Sequence, residues 1–352
     1  MQHTKQYRSY SAHDNRSVGP SRRRRSNVPI IFPLIVIVLL IVSGVRFFGG
    51  WFWSRLPYGV QFGGAGDDNA TACAVDASGS AYVVGTTNGN IGNKSPGADT
   101  LINNIWIARL SPSGSVLWTQ QVHSVANEMV GGVAIDSSGN AVVAGSSEGN
   151  LFAVNGGAAD EDHPHHDVVL FKISQDGSFL WKKQYSARGD EVAQAVAVAS
   201  DGGILVAGDT DHLLYAQGKP SICSVANGAS SNIFLTRYDE GGKQVWGRQW
   251  GGPVQDSVDS MTVDSVGSVF VTGSTIGMFD PLSGAQSAFL AKVDSIGTLL
   301  WSAQIPNGLP GFPVSVSTDS DGNSYFCSRR GYSIRPGWPP TSYCQVRHAT
   351  GV

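Results

Sequence analysis

The sequence predicts an all-β chain of repeated units behind one membrane-spanning helix. Three observations predict it: 44 glycines with only 14 % charged residues, five copies of one pattern starting at Tyr58, Trp118, Trp181, Trp246 and Trp301, and an uncharged apolar run from Val28 to Val45. Many glycines and few charges mean tight turns and few solvated helices, so strands are the expected element.

The net charge of −3 is unevenly spread. Residues 1–27 carry seven basic side chains, including Arg22, Arg23, Arg24 and Arg25, against the single acid Asp14, a net +6 that leaves −9 for the remainder. An acidic remainder argues against a nucleic-acid partner, because phosphate binding needs clustered Lys and Arg. The 18 uncharged residues 28–45 would rise ~27 Å as a helix, close to the ~30 Å of a hydrocarbon core. Pro29 and Pro33 fall in its first turns, where missing donors matter least. Arg46 can snorkel at the far end, and Phe47, Phe48, Trp51, Phe52 and Trp53 supply an interfacial aromatic collar. The Arg-rich flank stays cytoplasmic, so everything beyond residue 50 is expected in the lumen or outside the cell. A cleaved signal peptide ending near Val42-Ser43-Gly44 is the alternative, although a 27-residue leader ahead of the apolar run would be unusual. On this layout Asn69-Ala-Thr71 and Asn93-Lys-Ser95 are sequons open to glycosylation at Asn69 and Asn93.

The copies hold register without a gap for 28 residues. Three residues after each start stands Gln61, Gln121, Gln184, Gln249 or Gln304, and one further on an apolar side chain, Phe62, Val122, Tyr185, Trp250 or Ile305. Start and fourth residue share one face of a strand and the glutamine takes the other. Ten residues after the start an acid recurs in four copies, Asp68, Glu128, Glu191 and Asp256, followed by runs such as Ala193–Val198 that read as a strand buried on both faces. Asp76, Asp136, Asp264 and Asp319 then lead to Gly79, Gly139, Gly267 and Gly322, a hairpin signal, with Gly202 in the same place in the third copy. Another strand follows and closes on glycine in the first four copies, as in Ala81–Gly85. A last strand carries Arg109, Lys172, Arg237 or Lys292 nine residues before the next Trp. All length variation falls in the connection between these two strands, which is usual for stacked repeats with one variable face. Four short strands per ~60-residue unit make a β-propeller blade.

These motifs, W-x-x-Q, A-x-A-V-D-x-x-G-x-x-Y-V-x-G and F-L-A-K-x-D-x-x-G-x-x-x-W, resemble the bacterial-type seven-bladed β-propeller repeat family called SBBP repeats. The resemblance covers residues 58 to about 328 and implies a propeller at the cell surface or secreted; it brings no catalytic residues with it. The chain departs from the pattern in holding five copies, the last incomplete, with Ser328 where glycine is expected. The expected layout is a basic cytoplasmic arm (1–27), a transmembrane anchor (28–48), an aromatic linker (49–57), repeats at 58–117, 118–180, 181–245, 246–300 and 301–328, and an irregular tail (329–352).

Candidate chemistry is sparse. The recurring Trp residues are expected between blades rather than as a stacking platform, and the recurring acids as turn caps rather than Ca²⁺ ligands, which would need six to eight converging oxygens. Cys73 is expected as a small core residue, and Cys327 with Cys344 as a disulfide pair at the irregular C-terminal end. One cluster has metal-ligand chemistry: Asp160-Glu-Asp-His-Pro-His-His-Asp167, in which His163, His165, His166 and Asp167 suit Zn²⁺ or Cu²⁺, the other reading being a solvated polar insertion. No catalytic triad, carboxylate pair or phosphate loop can be placed. The functional expectation is a membrane-anchored binding or adhesion module for a protein or carbohydrate ligand. The alternative is an enzyme with a site built from the variable loops, quinoprotein-like or polysaccharide-active.

Overall fold

The computed structural model describes residues 60–91, 102–152, 165–185, 189–212, 214, 231–251, 254–276, 286–304, 311–319, 323–330 and 342–347, with the backbone alone for 311–314, 326–330 and 342–347. The expected anchor, 28–48, lies outside the described residues. Among those described, no helix is long and apolar enough to cross a membrane.

All regular structure among the described residues is antiparallel sheet. The first sheet runs β1 (Asp68–Val75), β2 (Ala81–Thr87), β3 (Asn104–Leu110) and β4 (Val116–Val122). The second is β5 (Glu128–Ile135), β6 (Ala141–Ser147), β7 (Asp167–Ile173) and β8 (Phe179–Tyr185). The third is β9 (Glu191–Val198), β10 (Ile204–Thr210), β11 (Asn232–Tyr238) and β12 (Gln244–Trp250). The fourth is β13 (Ser257–Val263), β14 (Val269–Thr275), β15 (Ser287–Val293) and β16 (Leu299–Gln304). The fifth has three strands, β17 (Gly311–Thr318), β18 (Ser324–Arg330) and β19 (Ser342–Arg347). The segment expected to be an irregular tail thus supplies β19.

Repeat and sheet are out of phase by one strand. Each copy begins on a Trp-bearing strand, but Trp118, Trp181, Trp246 and Trp301 lie in β4, β8, β12 and β16, the last strands of the preceding sheets. The repeat therefore stitches each sheet to the next.

Each sheet packs on its successor through one apolar layer. Tyr82, Val84, Ile105 and Ile107 meet Val130 and Val133 between the first two sheets. Val142, Ala144 and Leu170 meet Ala193, Val206 and Phe234 between the second and third. Leu205, Leu235 and Trp250 meet Val258, Met261 and Phe289 between the third and fourth, and Phe270 and Leu290 meet Val316 at the last interface. A fully buried side chain such as Phe171 or Phe234 stabilises by about 1.5–3 kcal/mol. No comparable packing joins the fifth sheet to the first among the described residues. Consequently β1 differs from its counterparts: Asp68, Ala70, Cys73 and Val75 are exposed, whereas Glu128, Val130 and Val133 of β5 are buried. Cys73 is a free, exposed cysteine and not the core residue expected, because among the described residues no sheet covers that face of β1.

A β-bulge interrupts the first strand of every sheet, for instance between Val130 and Gly132 and between Val258 and Ser260. The amide a bulge releases needs another acceptor. Ala193 N donates to Ser146 Oγ at 2.9 Å and Val258 N to Asp209 Oδ1 at 2.7 Å, so the irregularity binds each sheet to the one before.

The turn motifs are explained by two sets of bonds. Asp76 Oδ1 accepts Ser78 N and Ser80 N, both at 2.9 Å, while Oδ2 takes Arg109 at 3.0 Å; Asp136 with Lys172 (2.8 Å) and Asp264 with Lys292 (3.4 Å) repeat the pair. In the third copy, where Ala199 stands at the acid's place, Asp201 takes over and meets Arg237 at 2.5 Å. Burial opposes charge on Asp76 and Asp136, but these bonds outweigh it and hold both pKa values below the ordinary range. Trp118 Nε1 donates to Gln175 O at 2.9 Å, Trp181 Nε1 to Glu240 O at 3.0 Å and Trp246 Nε1 to Ser295 O at 3.1 Å. Each acceptor belongs to a turn of the following sheet, so the Trp residues fill the expected place between blades.

Candidate ligand-binding face

Antiparallel pairing places the start of each first strand and the end of each second strand at one edge. Glu148 N donates to Asn127 O at 2.9 Å, and Asp211 N to Asp190 O at 3.3 Å, joining the linker that enters a sheet to the root of its variable connection. The aspartate-glycine turns occupy the opposite edge. Variable connections and entry linkers therefore share one face.

Two framework devices hold the roots of those connections. The first is the repeated glutamine. Gln184 Oε1 accepts Leu151 N (2.9 Å) and Phe152 N (3.0 Å), and its Nε2 donates to Gly149 O (2.9 Å) and Asp167 Oδ2 (2.7 Å). Gln121 clamps Ile91 N and Gly89 O, and Gln249 clamps Leu214 N and His212 O, in the same way. The second is an acid at or just before the start of the first strand, paired with a hydroxyl 19 residues later: Asp68 with Thr87 (2.6 Å), Glu128 with Ser147 (3.3 Å), Glu191 with Thr210 (3.5 Å) and Asp256 with Thr275 (2.5 Å). Glu128 is fully buried, its Oε1 also accepts Ser124 N at 3.1 Å, and its Oε2 has no hydrogen-bond partner. Burial, only partly offset by the Ser124 and Ser147 bonds, pushes its pKa up to about 7.

Above this framework lies a row of carboxylates and imidazoles. His166 stands between two acids, its Nε2 3.3 Å from Glu148 and its Nδ1 3.1 Å from Asp190. Asp190 Oδ1 also accepts the His166 backbone amide at 2.8 Å and lies 3.8 Å from His165 Nδ1. Burial raises the Asp190 pKa less than the His166 bonds lower it, and the carboxyl sits below its ordinary value. Asn127 Nδ2 holds Glu148 at 2.9 Å, and Asp211 pairs with His212 at 2.9 Å. One step inward, Gln194 donates to Asp209 at 3.0 Å; burial raises Asp209 and Asp259 to about 6 each.

The expected metal ligands divide. His165 and His166 join this row, whereas Asp167 is the buried first residue of β7 and is taken by Gln184; His163 lies outside the described residues. Among the described residues no three His, Cys, Asp or Glu side chains are placed to hold a metal ion. Asn69 is exposed on β1, and Asn93 lies outside the described residues. Glu148, Asp190, Asp211 and His212 were not singled out from sequence. They come from three separate connections and show no local pattern, while the 19-residue acid–hydroxyl spacing was there to be found.

Residues 245–280 match the family model described as Beta-propeller repeat, SBBP. That segment carries an SBBP β-propeller repeat. The matched SBBP segment starts inside β12 and runs through β13 and β14, so it crosses from one sheet into the next in the phase described above. Among curated proteins, the regulatory protein FlaEY of Caulobacter vibrioides is 28 % identical over 107 residues, 30 % of this chain and 11 % of FlaEY. Similar solved structures include a protein of unknown function from Bacteroides caccae (13 % identity, 69 % of each chain, TM-score 0.37). A gluconolactonase from Xanthomonas campestris (16 %, 74 % of this chain and 69 % of that one, TM-score 0.35) and a PL25 ulvan lyase (12 %, 79 % and 67 %, TM-score 0.41) are others. These likenesses bear on neither the substrate nor the activity of this chain.

Proposed function

We propose that this chain is a binding or adhesion module, held at a membrane by residues 28–48 with its repeats on the non-cytoplasmic side. One observation carries the reading. The recurring polar side chains are committed to holding the sheets together and clamping loop roots, so the residues free to differ between copies are gathered on one face. A framework that fixes the bases of variable loops supports ligand recognition by those loops. A protein or carbohydrate surface suits the half-buried carboxylate–imidazole row.

The test is a panel of glycans and surface proteins offered to the purified full-length chain. Saturable binding without turnover supports the module. A second reading, an enzyme, draws on His166 lying within 3.3 Å of both Glu148 and Asp190, a spacing suited to proton transfer. Turnover of a panel member that is lost in His166→Ala would establish that reading instead. Orientation is read separately: in a eukaryotic host, Asn69 or Asn93 acquires glycan, and a chain unshifted by glycosidase with its repeats open to cytosolic protease would refute the placement.

A further inference from the structure

Two positions recur at the seam between one sheet and the next: the residue after the glycine of the second strand, and the bulged residue of the following first strand. Between the first and second sheets they are Thr86 and Gly131, and between the second and third Ser146 and Gln194. Between the third and fourth both are acids, Asp209 and Asp259.

Asp209 spans its seam. Its Oδ1 accepts Val258 N at 2.7 Å, the amide just before the bulge of β13, and its Oδ2 accepts Gln194 Nε2 at 3.0 Å, from the bulge of β9. At the preceding seam the task falls to a hydroxyl, Ser146 Oγ taking Ala193 N. A hydroxyl stays neutral across the physiological range, whereas a carboxyl titrates. The charges acting on Asp209 from the fourth sheet and its entry are Asp259 and Asp256. Glu191 heads β9 and bonds to Thr210, and Asp211 beyond β10 pairs with His212. No compensating cation sits on these strands: β9, β10 and β13 carry no lysine or arginine, and Arg237 of β11 is held by Asp201 at the opposite edge. Burial raises the Asp209 carboxyl, the Val258 and Gln194 bonds pull it back, and Asp259 and Asp256 raise it again, to about 6.

Protonation forfeits neither bond. Oδ1 still accepts Val258 N, and a proton on Oδ2 is donated to Gln194 Oε1 once that amide has turned over. Ionisation also keeps both bonds but sets a buried charge against its acidic neighbours.

We propose that Asp209 is a pH-sensitive latch between the third and fourth sheets, closed with a proton on its Oδ2 and loosened when solvent takes that proton. The latch acts on the variable face, because β10 runs straight into the connection root at 211–214 and β13 follows directly on Asp256 of the entry linker. It holds whatever that face binds, so failure of the binding reading leaves it standing. A carboxyl whose folded pKa lies above its ordinary 3.8 contributes stability that is complete below that value and is lost as pH rises through about 6.

The experiment is hydrogen exchange of the full-length chain at pH 5 and 7.5, corrected for intrinsic rates and read at 257–259 against 192–194, the seam that Ser146 closes. Protection of 257–259 relative to 192–194 is expected to fall about 10-fold between the two pH values. Asp209→Asn keeps an acceptor for Val258 N and a donor for Gln194, and should hold relative protection at its pH 5 level throughout. Asp259→Asn removes a neighbouring charge and should shrink the fall. Equal relative protection at both pH values in the unaltered chain overturns the latch, as does a fall that survives Asp209→Asn. Should that variant fail to fold, Asp209→Ser, which copies Ser146, takes its place under the same two outcomes, and the unaltered chain still decides by itself.

Discussion

Gly177 and Gly202 offer a matched pair for testing the contact between blades. Both have a left-handed backbone, φ +89° and +84°, so replacing either by alanine costs about 1–2 kcal/mol in backbone strain. Their surroundings differ. A Cβ on Gly177 would stand 3.1 Å from Trp118 Cδ2 and 3.3 Å from Cε2 and Cγ, whereas one on Gly202 would meet nothing closer than Glu240 at 3.7 Å. Gly177→Ala must therefore also push the indole aside, at about 1–3 kcal/mol for overpacking, and strain the 2.9 Å bond from Trp118 Nε1 to Gln175 O, worth about 1 kcal/mol. Chemical denaturation of the two variants should show Gly177→Ala the more costly by roughly 1–3 kcal/mol. In a double-mutant cycle with Trp118→Ala, that excess should vanish and leave the strain alone. Equal losses for the two glycines, or an excess that survives removal of the indole, would refute the packing of each Trp on the next sheet's turn.

Three further outcomes are expected. Glu128 has a folded pKa near 7 against an ordinary 4.5, so the folded state binds more protons than the unfolded one between those values and stability falls as pH rises through that window. Glu128→Gln should abolish up to about 3 kcal/mol of that decline in denaturation curves at pH 4.5 and 7.5, and an unchanged pH slope would contradict the buried acid. Gln184→Ala removes four hydrogen bonds at one loop root and strands the buried Asp167; it should cost about 2–4 kcal/mol and speed proteolysis after residue 149, which unaltered cleavage would contradict. The backbone register sets Cys327 opposite Cys344, and facing Cα atoms about 4.5–5.5 Å apart suit a disulfide. Chain prepared from an oxidising compartment should yield a linked 327–344 peptide pair, and alkylation of both thiols without reduction would contradict it.

The strands were legible because their signals are local. Alternation, an acid capping a turn and a glycine after it all act within a few residues, and β2, β6, β10 and β14 lie where these signals set them. The partner of a strand is not local. Trp118 reads the same whether β4 opens one sheet or closes another, and hydrogen bonding to β3 settles it. Burial likewise belongs to neighbours: Cys73 has the spelling of the buried Val133, yet lies exposed because no sheet among the described residues packs before β1. Asp201 replaces the missing turn acid from two residues away, since a long guanidinium reaches either position. At the candidate site, the imidazoles of the acidic-histidine loop were visible in sequence, but their partners Glu148 and Asp190 arrive from other connections through sheet pairing. Asp167 looked like one more ligand and is instead the residue Gln184 needs to finish its hydrogen bonds.

The central claim is that recognition belongs to the face bearing the variable connections. Its most direct test is a hydrogen-exchange footprint of the full-length chain with a panel member that binds saturably. Protection is expected on linkers and loop roots at 123–127, 148–152, 165–166, 189–190 and 211–214, with the turns at 76–80, 136–140 and 264–268 unchanged. Protection confined to those turns, or saturable binding to no member of the panel, would contradict it.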